Sequence, residues 1–188
     1  MQKLKYIVLL SVFSFSFTIN FGSNPIPVIE KIESANFDNL YKLNDFLYRS
    51  EQPSKKGMQE IENADIKTVL NLRKKNKDLK KSKNTQLKLM HFPIKTSKFS
   101  NNDIFESLKI IKEAEKPILI HCWYGSDRTG VIVAAYRMVF ENWPKDKAIA
   151  EFTDKRFGYH KLLYPNVLEL LESIDVKSLK NKLNSTTF

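Results

Sequence analysis

Short apolar runs alternate with amphipathic segments through most of the chain. Three runs rich in β-branched and other apolar residues, at 67–72, 87–92 and 118–120, predict buried strands. Two shorter runs, at 37–41 and 46–48, predict two further strands separated by a tight turn. The pattern therefore predicts a sheet with five candidate strands spread over the middle of the sequence.

The segments between these strands carry apolar residues every three or four positions, which is typical of amphipathic helices. Such helices are predicted over 54–64, 101–116, 145–155 and 164–174, whereas 131–140 is apolar nearly all round and indicates a helix buried at the centre. Alternating strands and helices predict an α/β fold, a three-layer sandwich with a mainly parallel central sheet of four to five strands flanked by helices. Ligands bind such sheets at the carboxyl ends of the strands.

The two ends of the chain differ from this alternating middle. Residues 1–22 join a short basic start to an apolar run, the pattern of a signal peptide; an uncleaved N-terminal anchor is the alternative, since no clear cleavage site follows. We expect a linker over 23–36, the folded domain over 37–175, and a polar, basic, frayed tail over 176–188. The protein is therefore expected to be exported to the periplasm or the medium, or associated with a membrane through its N-terminal segment.

The charge of the chain is strongly basic, with a formal net charge of +10. When the first 22 residues, with Lys3 and Lys5, are left out, the net charge is still +8, so most of the charge belongs to the folded part. A basic surface favours solubility, anionic substrates or membrane head groups. Nucleic acid is not expected as a partner, because no zinc-ligand cluster or stacking-type aromatic motif occurs. A lysine-rich run at 73–83 predicts a solvated segment, with steering of anionic substrates as the alternative.

Cys122 is the single cysteine of the chain and excludes an intramolecular disulfide. It follows a predicted buried strand and precedes a predicted helix, where backbone N–H groups bind anions and the helix dipole favours a thiolate. Arg128, six residues further on, can hold a phosphate through two parallel hydrogen bonds. One cysteine and three histidines lack zinc-ligand spacing, so no metal and no cofactor is expected.

The stretch from His121 to Gly130 resembles the His-Cys-x5-Arg-Thr/Ser-Gly loop of the cysteine-based protein tyrosine and dual-specificity phosphatases. The stretches 47–54 and 157–160 are similar to a bacterial branch of dual-specificity-like phosphatases, and the resemblance covers 37–174. It implies a tyrosine-phosphatase-like fold and hydrolysis of phosphomonoesters through a phosphocysteine. The positions that match the loop are His121, Cys122, Gly125, Arg128, Thr129 and Gly130.

The resemblance also implies a role for each loop residue. Cys122 would be the nucleophile, Arg128 would clamp the phosphoryl oxygens, and His121 would orient the loop. Thr129 would hydrogen-bond the sulfur. Gly125 would permit a tight turn, and Gly130 a close approach of helix and strand. The phosphate-binding residues would be Trp123, Tyr124, Gly125, Ser126, Asp127, Arg128 and Thr129.

The proton donor for the leaving group stays open. The resemblance implies an aspartate upstream of the cysteine, but the corresponding zone, 90–96, contains no carboxylate. Asp127, inside the loop, is the first candidate, and Asp103, at a predicted helix start, is the second. His91 is a third candidate, although it lies on a predicted strand.

Three functions are consistent with these residues. The first is a protein tyrosine or dual-specificity phosphatase, whose partner is a phosphorylated protein. The second is a phosphatase of inositol phosphates, phosphoinositides or other small anionic phosphoesters, which the basic surface favours. The third is a pseudophosphatase that binds phosphorylated ligands with weak turnover or none.

Overall fold

A six-stranded sheet forms the middle layer of the computed structural model, which describes residues 29–185. Its strands are β1 (Glu30–Lys31), β2 (Tyr41–Lys42), β3 (Leu47–Ser50), β4 (Thr68–Asn71), β5 (Lys88–His91) and β6 (Ile118–His121). Their order across the sheet is β1-β2-β3-β6-β4-β5. The first three strands pair antiparallel, and β3, β6, β4 and β5 pair parallel. The predicted mainly parallel α/β sheet is confirmed, with one strand more than expected.

Helices cover both faces of the sheet. They are α1 (Lys55–Asn63), α2 (Asp78–Lys81), α3 (Asn101–Glu113), α4 (Asp127–Phe140), α5 (Lys145–Thr153), α6 (Pro165–Ser173) and α7 (Val176–Ser185). Buried residues of α1 pack on one face, and those of α3 to α7 pack on the other. This arrangement is the predicted three-layer sandwich.

Strand β6 lies at the centre of both cores. Its side chains alternate between the two faces, because successive residues of a strand point in opposite directions. Leu119 joins the core beneath α1, whereas Ile118 and Ile120 join the core beneath α4, and all three are fully buried. The helix that follows, α4, is buried along nearly its whole length. The turn between β6 and α4 is therefore held on both sides by elements that are almost completely buried.

Several predictions at the edges of the domain were wrong. The tail was expected to be frayed, but residues 176–185 form α7, because Leu179 and Leu183, four positions apart, bury one face of it in the core. The expected linker contributes β1, which pairs with β2. The strand expected over 37–41 begins only at Tyr41, and Phe37 is buried in the loop before it.

The predicted signal peptide or anchor at 1–22 lies outside the described residues, so export and membrane association remain predictions. Between residues 29 and 185, no helix is long and apolar enough to cross a membrane.

Candidate active site

The loop between β6 and α4 presents Cys122 at the carboxyl end of the central strand. Cys122 directly follows the last residue of β6, and α4 begins five residues later at Asp127. The cysteine side chain is only 2 % exposed. The sulfur therefore lies before the N-terminus of α4, at the positive end of the helix dipole.

The backbone carbonyls of residues 122 to 126 all accept hydrogen bonds, from groups around the loop or, for Ser126, from the first turn of α4. The Cys122 carbonyl lies 3.1 Å from His121 Nδ1. The Trp123 carbonyl accepts from Gln52 N at 3.1 Å, and the Tyr124 carbonyl accepts from Asn39 Nδ2 at 2.7 Å. The Gly125 carbonyl accepts from Arg49 Nη2 at 2.7 Å, and the Ser126 carbonyl accepts from Gly130 N at 2.6 Å.

The direction of these carbonyls fixes the direction of the amides. In a trans peptide unit the C=O and the following N–H point in opposite directions. Because the carbonyls from 122 to 125 bond to groups around the loop and that of Ser126 points along α4, the N–H groups from 123 to 127 face the interior of the loop. Such a ring of N–H groups at a helix N-terminus is an anion-binding cradle.

Gly125 permits this arrangement. Its φ is +74°, in the left-handed region that side chains disfavour. A Cβ atom at this position would lie 2.6 Å from the carbonyl carbon and oxygen of Ser50. The tight turn expected at Gly125 is confirmed, and the close packing on β3 is a second reason why no larger residue fits.

Arg128 lies in the first turn of α4 and is partly exposed. Its Nη1 donates to the carbonyl of Leu72 at 3.3 Å, and its other N–H groups have no partner among residues 29–185. Arg73 is a second cation close to Arg128. Burial lowers the pKa of Arg73, and the charge of Arg128 lowers it further. Arg73 stacks on the Trp123 ring at 4.0 Å. The loop thus has a guanidinium with free donors beside its amides.

His121 pairs with Asp78 beneath the loop. His121 Nε2 lies 2.9 Å from the Asp78 carboxylate, and both side chains are buried. Gln52 also donates to Asp78, at 2.6 Å, and Arg73 donates to Gln52 at 2.5 Å. His121 therefore links a buried carboxylate to the backbone of Cys122. The sequence analysis missed Asp78, although it is the one carboxylate within the lysine-rich run at 73–83.

The ionisation of Asp78 should contribute to stability. Burial raises the pKa of the Asp78 carboxyl, but the hydrogen bond and charge of His121, together with hydrogen bonds from Gln52 and Asn71, lower it by more, so the net pKa is below its usual value. A carboxyl whose pKa is lower in the folded state than in the unfolded state stabilises the fold at pH values above its unfolded-state pKa of about 3.9. This contribution is lost as the pH falls through the lower, folded-state pKa.

Asp78→Asn is therefore expected to lower the free energy of unfolding by about 2 kcal/mol at pH 7, because it weakens a buried, charge-assisted pair. The difference from wild type should shrink as the pH falls below about 4. Urea unfolding at a series of pH values measures both effects. Asp38→Asn, at an exposed position, is the control and should match wild type throughout. A difference for Asp78→Asn that does not change with pH would contradict this account.

Arg49 supports the loop from β3. Its side chain is fully buried, stacks on the ring of Phe157 at 4.1 Å and reaches the Gly125 carbonyl. Burial lowers the pKa of Arg49 to about 10. The sequence analysis did not single out Arg49 as a site residue, although it lies in the stretch 47–54 that carries the family resemblance.

The structure places the three candidate proton donors in different surroundings. The Asp127 carboxylate accepts from the backbone N–H of His160 at 2.9 Å and lies 3.0 Å from its ring Nδ1. The Asp103 carboxylate instead forms a capping box with Ser100 at the start of α3. His91 Nε2 lies 2.7 Å from the carbonyl of Arg73. Of the three, only Asp127 belongs to the loop itself.

Two finer expectations about the loop differ from the structure. The Thr129 hydroxyl is buried without a hydrogen-bond partner in the described part of the chain, so the bond to sulfur that the resemblance implied is not formed. Gly130 makes a close approach, but to the Phe152 ring of α5 rather than to a strand, because a Cβ would lie 2.8 Å from that ring. The orienting role of Thr129 stays a prediction.

Within residues 29–185, no group of three or more histidine, cysteine, aspartate or glutamate side chains is placed to hold a metal ion. The charges of Arg49 and Arg73 both interact with Cys122, which suits the loop to an anion.

Comparison with known proteins agrees with this geometry. The chain is 29% identical over 122 residues to the dual specificity protein phosphatase TpbA of Pseudomonas aeruginosa, over 64% of this chain and 56% of the relative. It thus spans just over half the length of that relative. It is also 28% identical over 165 residues to the inositol diphosphatase DSP5 of Arabidopsis thaliana, over 80% of this chain and 76% of the relative.

A crystal structure of P. aeruginosa TpbA, as a cysteine-to-serine variant in complex with pTyr, has the same fold. The TM-score is 0.76 at 23% identity, over 86% of this chain and 98% of the other. The family model for the dual specificity phosphatase catalytic domain matches residues 47–164, more than half of the chain and all of the loop described above. The chain therefore belongs to the family of dual specificity phosphatase catalytic domains.

Proposed function

We propose that the protein is a phosphomonoester hydrolase of the protein tyrosine and dual-specificity type, which acts through a phosphocysteine at Cys122. One observation carries the proposal: the outward-facing carbonyls from 122 to 126 turn a ring of N–H groups toward the space next to the cysteine. A phosphoryl group bound there is placed for attack by sulfur.

The proposed reaction has two steps. The Cys122 thiolate attacks phosphorus, the bond to the leaving oxygen breaks, and a phosphocysteine forms. Water then attacks the phosphocysteine and releases inorganic phosphate. The loop amides and the Arg128 guanidinium stabilise the negative charge on the equatorial oxygens in both steps. The free donors of Arg128 support this role, since two of them can bind two oxygens at once.

The favoured substrate class is phosphotyrosine in proteins. Trp123 and Tyr124 are 47% and 60% exposed, so their rings are available beside the loop. Aromatic side chains stack with a phenol ring, which gives an aryl phosphate a contact that an alkyl phosphate lacks. TpbA is named a dual specificity protein phosphatase, and one of its structures contains pTyr, which agrees with this choice.

An inositol diphosphate is the second candidate substrate. The relative named as an inositol diphosphatase aligns with 80% of this chain, and a highly charged ligand would be attracted to the lysines of 73–83. A pseudophosphatase is less well supported, because Cys122 and Arg128 are both intact.

A substrate panel separates these classes. We expect kcat/KM on a phosphotyrosine peptide to exceed that on the matched phosphoserine peptide by at least about 10-fold, because only the first offers an aryl ring to Trp123 and Tyr124. Phosphate release is measured for both peptides and for an inositol diphosphate at the same ionic strength, since screening affects a charged ligand most. A higher kcat/KM on the inositol diphosphate would contradict the protein substrate and favour the second candidate.

A further inference from the structure

His160 lies at the edge of the loop, on the segment that follows Phe157. Its backbone N–H and its ring both bind the Asp127 carboxylate, and its ring centroid lies 5.8 Å from that of Tyr124. The side chain is 39% exposed. His160 is therefore attached to the loop that holds Cys122, and part of its ring faces solvent beside the site.

The contacts of Asp127 limit what this carboxylate can do directly. Oδ1 accepts from the His160 backbone, and Oδ2 lies 3.0 Å from His160 Nδ1. Both oxygens are engaged by His160 in these contacts, and the Asp127 side chain is mostly buried. The carboxylate is thus turned toward His160. It is placed to fix the orientation and tautomer of the imidazole, as carboxylates do for histidines in acid-base pairs.

The second ring nitrogen of His160 is not engaged in this way. With Nδ1 donating to Asp127, Nε2 is the atom that gains or loses a proton. Nε2 has no hydrogen-bond partner within residues 29–185. The other two candidates are not joined to the loop in the described part of the chain: the Asp103 carboxylate caps α3, and the His91 ring contacts the Arg73 carbonyl through Nε2.

We propose that His160 is the general acid and base of the reaction and that Asp127 is its positioning residue. This inference rests on the proposed function. In the first step, the bond between phosphorus and the leaving oxygen breaks, and that oxygen takes the proton from protonated Nε2. In the second step, neutral Nε2 takes a proton from the water that attacks phosphocysteine. The sulfur–phosphorus bond then breaks, the Cys122 thiolate is restored, and His160 is protonated again.

The groups near His160 come from the loop, from α4 and from its own segment. Asp127 is the acidic one, Tyr124 is the aromatic one, and the adjacent Tyr159 has a pKa raised by burial and by the charge of Asp127. The test relies on the leaving group rather than on pH, because a proton donor matters most when the leaving oxygen is strongly basic.

The test compares phenyl phosphate, a poor leaving group, with 2,4-dinitrophenyl phosphate, a good one. His160→Asn is expected to lower kcat on phenyl phosphate by about 10²–10³-fold and to change kcat on the dinitrophenyl ester by less than about 3-fold. The asparagine amide can replace Nδ1 as the donor to Asp127, so the loop contact is kept while the titrating nitrogen is removed. Asp127→Asn should show the same pattern more weakly.

Lys161→Asn is the matched control, since it places the same residue at the next, exposed position. It should behave as wild type on both esters. His160→Gln provides a second variant in case His160→Asn fails to fold. Near-ultraviolet circular dichroism checks the fold of both variants. Asp103→Asn and His91→Gln complete the series, and a selective loss on phenyl phosphate in either one, with none in His160→Asn, overturns the inference.

The remaining outcomes separate this inference from the function on which it rests. Suppose that wild type hydrolyses both esters and that the His160 variants either slow both equally or slow neither of them. His160 is then not the proton donor, and the proposed function still stands. If wild type hydrolyses neither ester, the proposed function itself fails, and this inference fails with it.

Discussion

Replacing Cys122 with serine is expected to lower the turnover of p-nitrophenyl phosphate by at least roughly 10⁴-fold, as the loss of a covalent nucleophile does in other enzymes. A serine hydroxyl in the same place stays protonated, because its oxygen is far less acidic than a thiol at a helix N-terminus. Release of p-nitrophenolate, followed by absorbance, measures the effect.

The same variant should retain the fold and the anion site. The N–H groups of the loop belong to the backbone, so Cys122→Ser leaves the cradle in place, and its affinity for inorganic phosphate should stay within about 3-fold of wild type. Isothermal titration with phosphate provides this control. Turnover of Cys122→Ser close to the wild-type rate would contradict the assignment of the nucleophile. Binding without turnover in wild type would instead favour the pseudophosphatase.

Arg128→Lys should have the second largest effect, a loss of about 10²–10³-fold in kcat/KM on the same substrate. The substitution keeps the charge and removes the planar fork, so two equatorial oxygens are no longer bound by two parallel hydrogen bonds. Because this charge redistributes in the transition state, the loss is expected mainly in kcat rather than in KM. Steady-state kinetics over a range of substrate concentrations separates the two constants.

Arg156→Lys is the matched control for Arg128. Arg156 forms its ion pair with Asp154 on the surface, where its side chain is 57% exposed. The same chemical change there should alter kcat/KM by less than about 2-fold, because surface ion pairs contribute little. A rise in KM with unchanged kcat in Arg128→Lys would show that Arg128 only holds the substrate.

The centre of the fold could be predicted from the sequence because its signals are local. The apolar run of β6 and the nearly uniform apolar character of α4 both indicate burial, and both elements lie at the core. The edges carry weaker signals. Strand β1 is two residues long, and α7 has only Leu179 and Leu183 buried among lysines and polar residues, so its sequence resembles a solvated tail.

The candidate site divides in the same way. Cys122, Gly125 and Arg128 lie within seven residues, and their spacing between a predicted strand and a predicted helix indicates a phosphate loop. The residues that hold the loop in place come from other parts of the chain, and each is an ordinary residue in its own sequence context. Asp78 lies within a lysine-rich run, Arg49 lies in the short strand β3, and His160 lies in a turn. Only the packing of β3, α2 and the segment after α5 brings them to the loop.

The covalent intermediate is the most direct test of the account. The wild-type protein is mixed with p-nitrophenyl phosphate, quenched in alkaline denaturant during the first turnover, digested, and mapped by mass spectrometry. The account predicts one phosphoryl group on the peptide that contains Cys122, and none on the same peptide from Cys122→Ser. Turnover by wild type during which that peptide never carries a phosphoryl group would contradict the central claim that Cys122 is the nucleophile of a phosphatase.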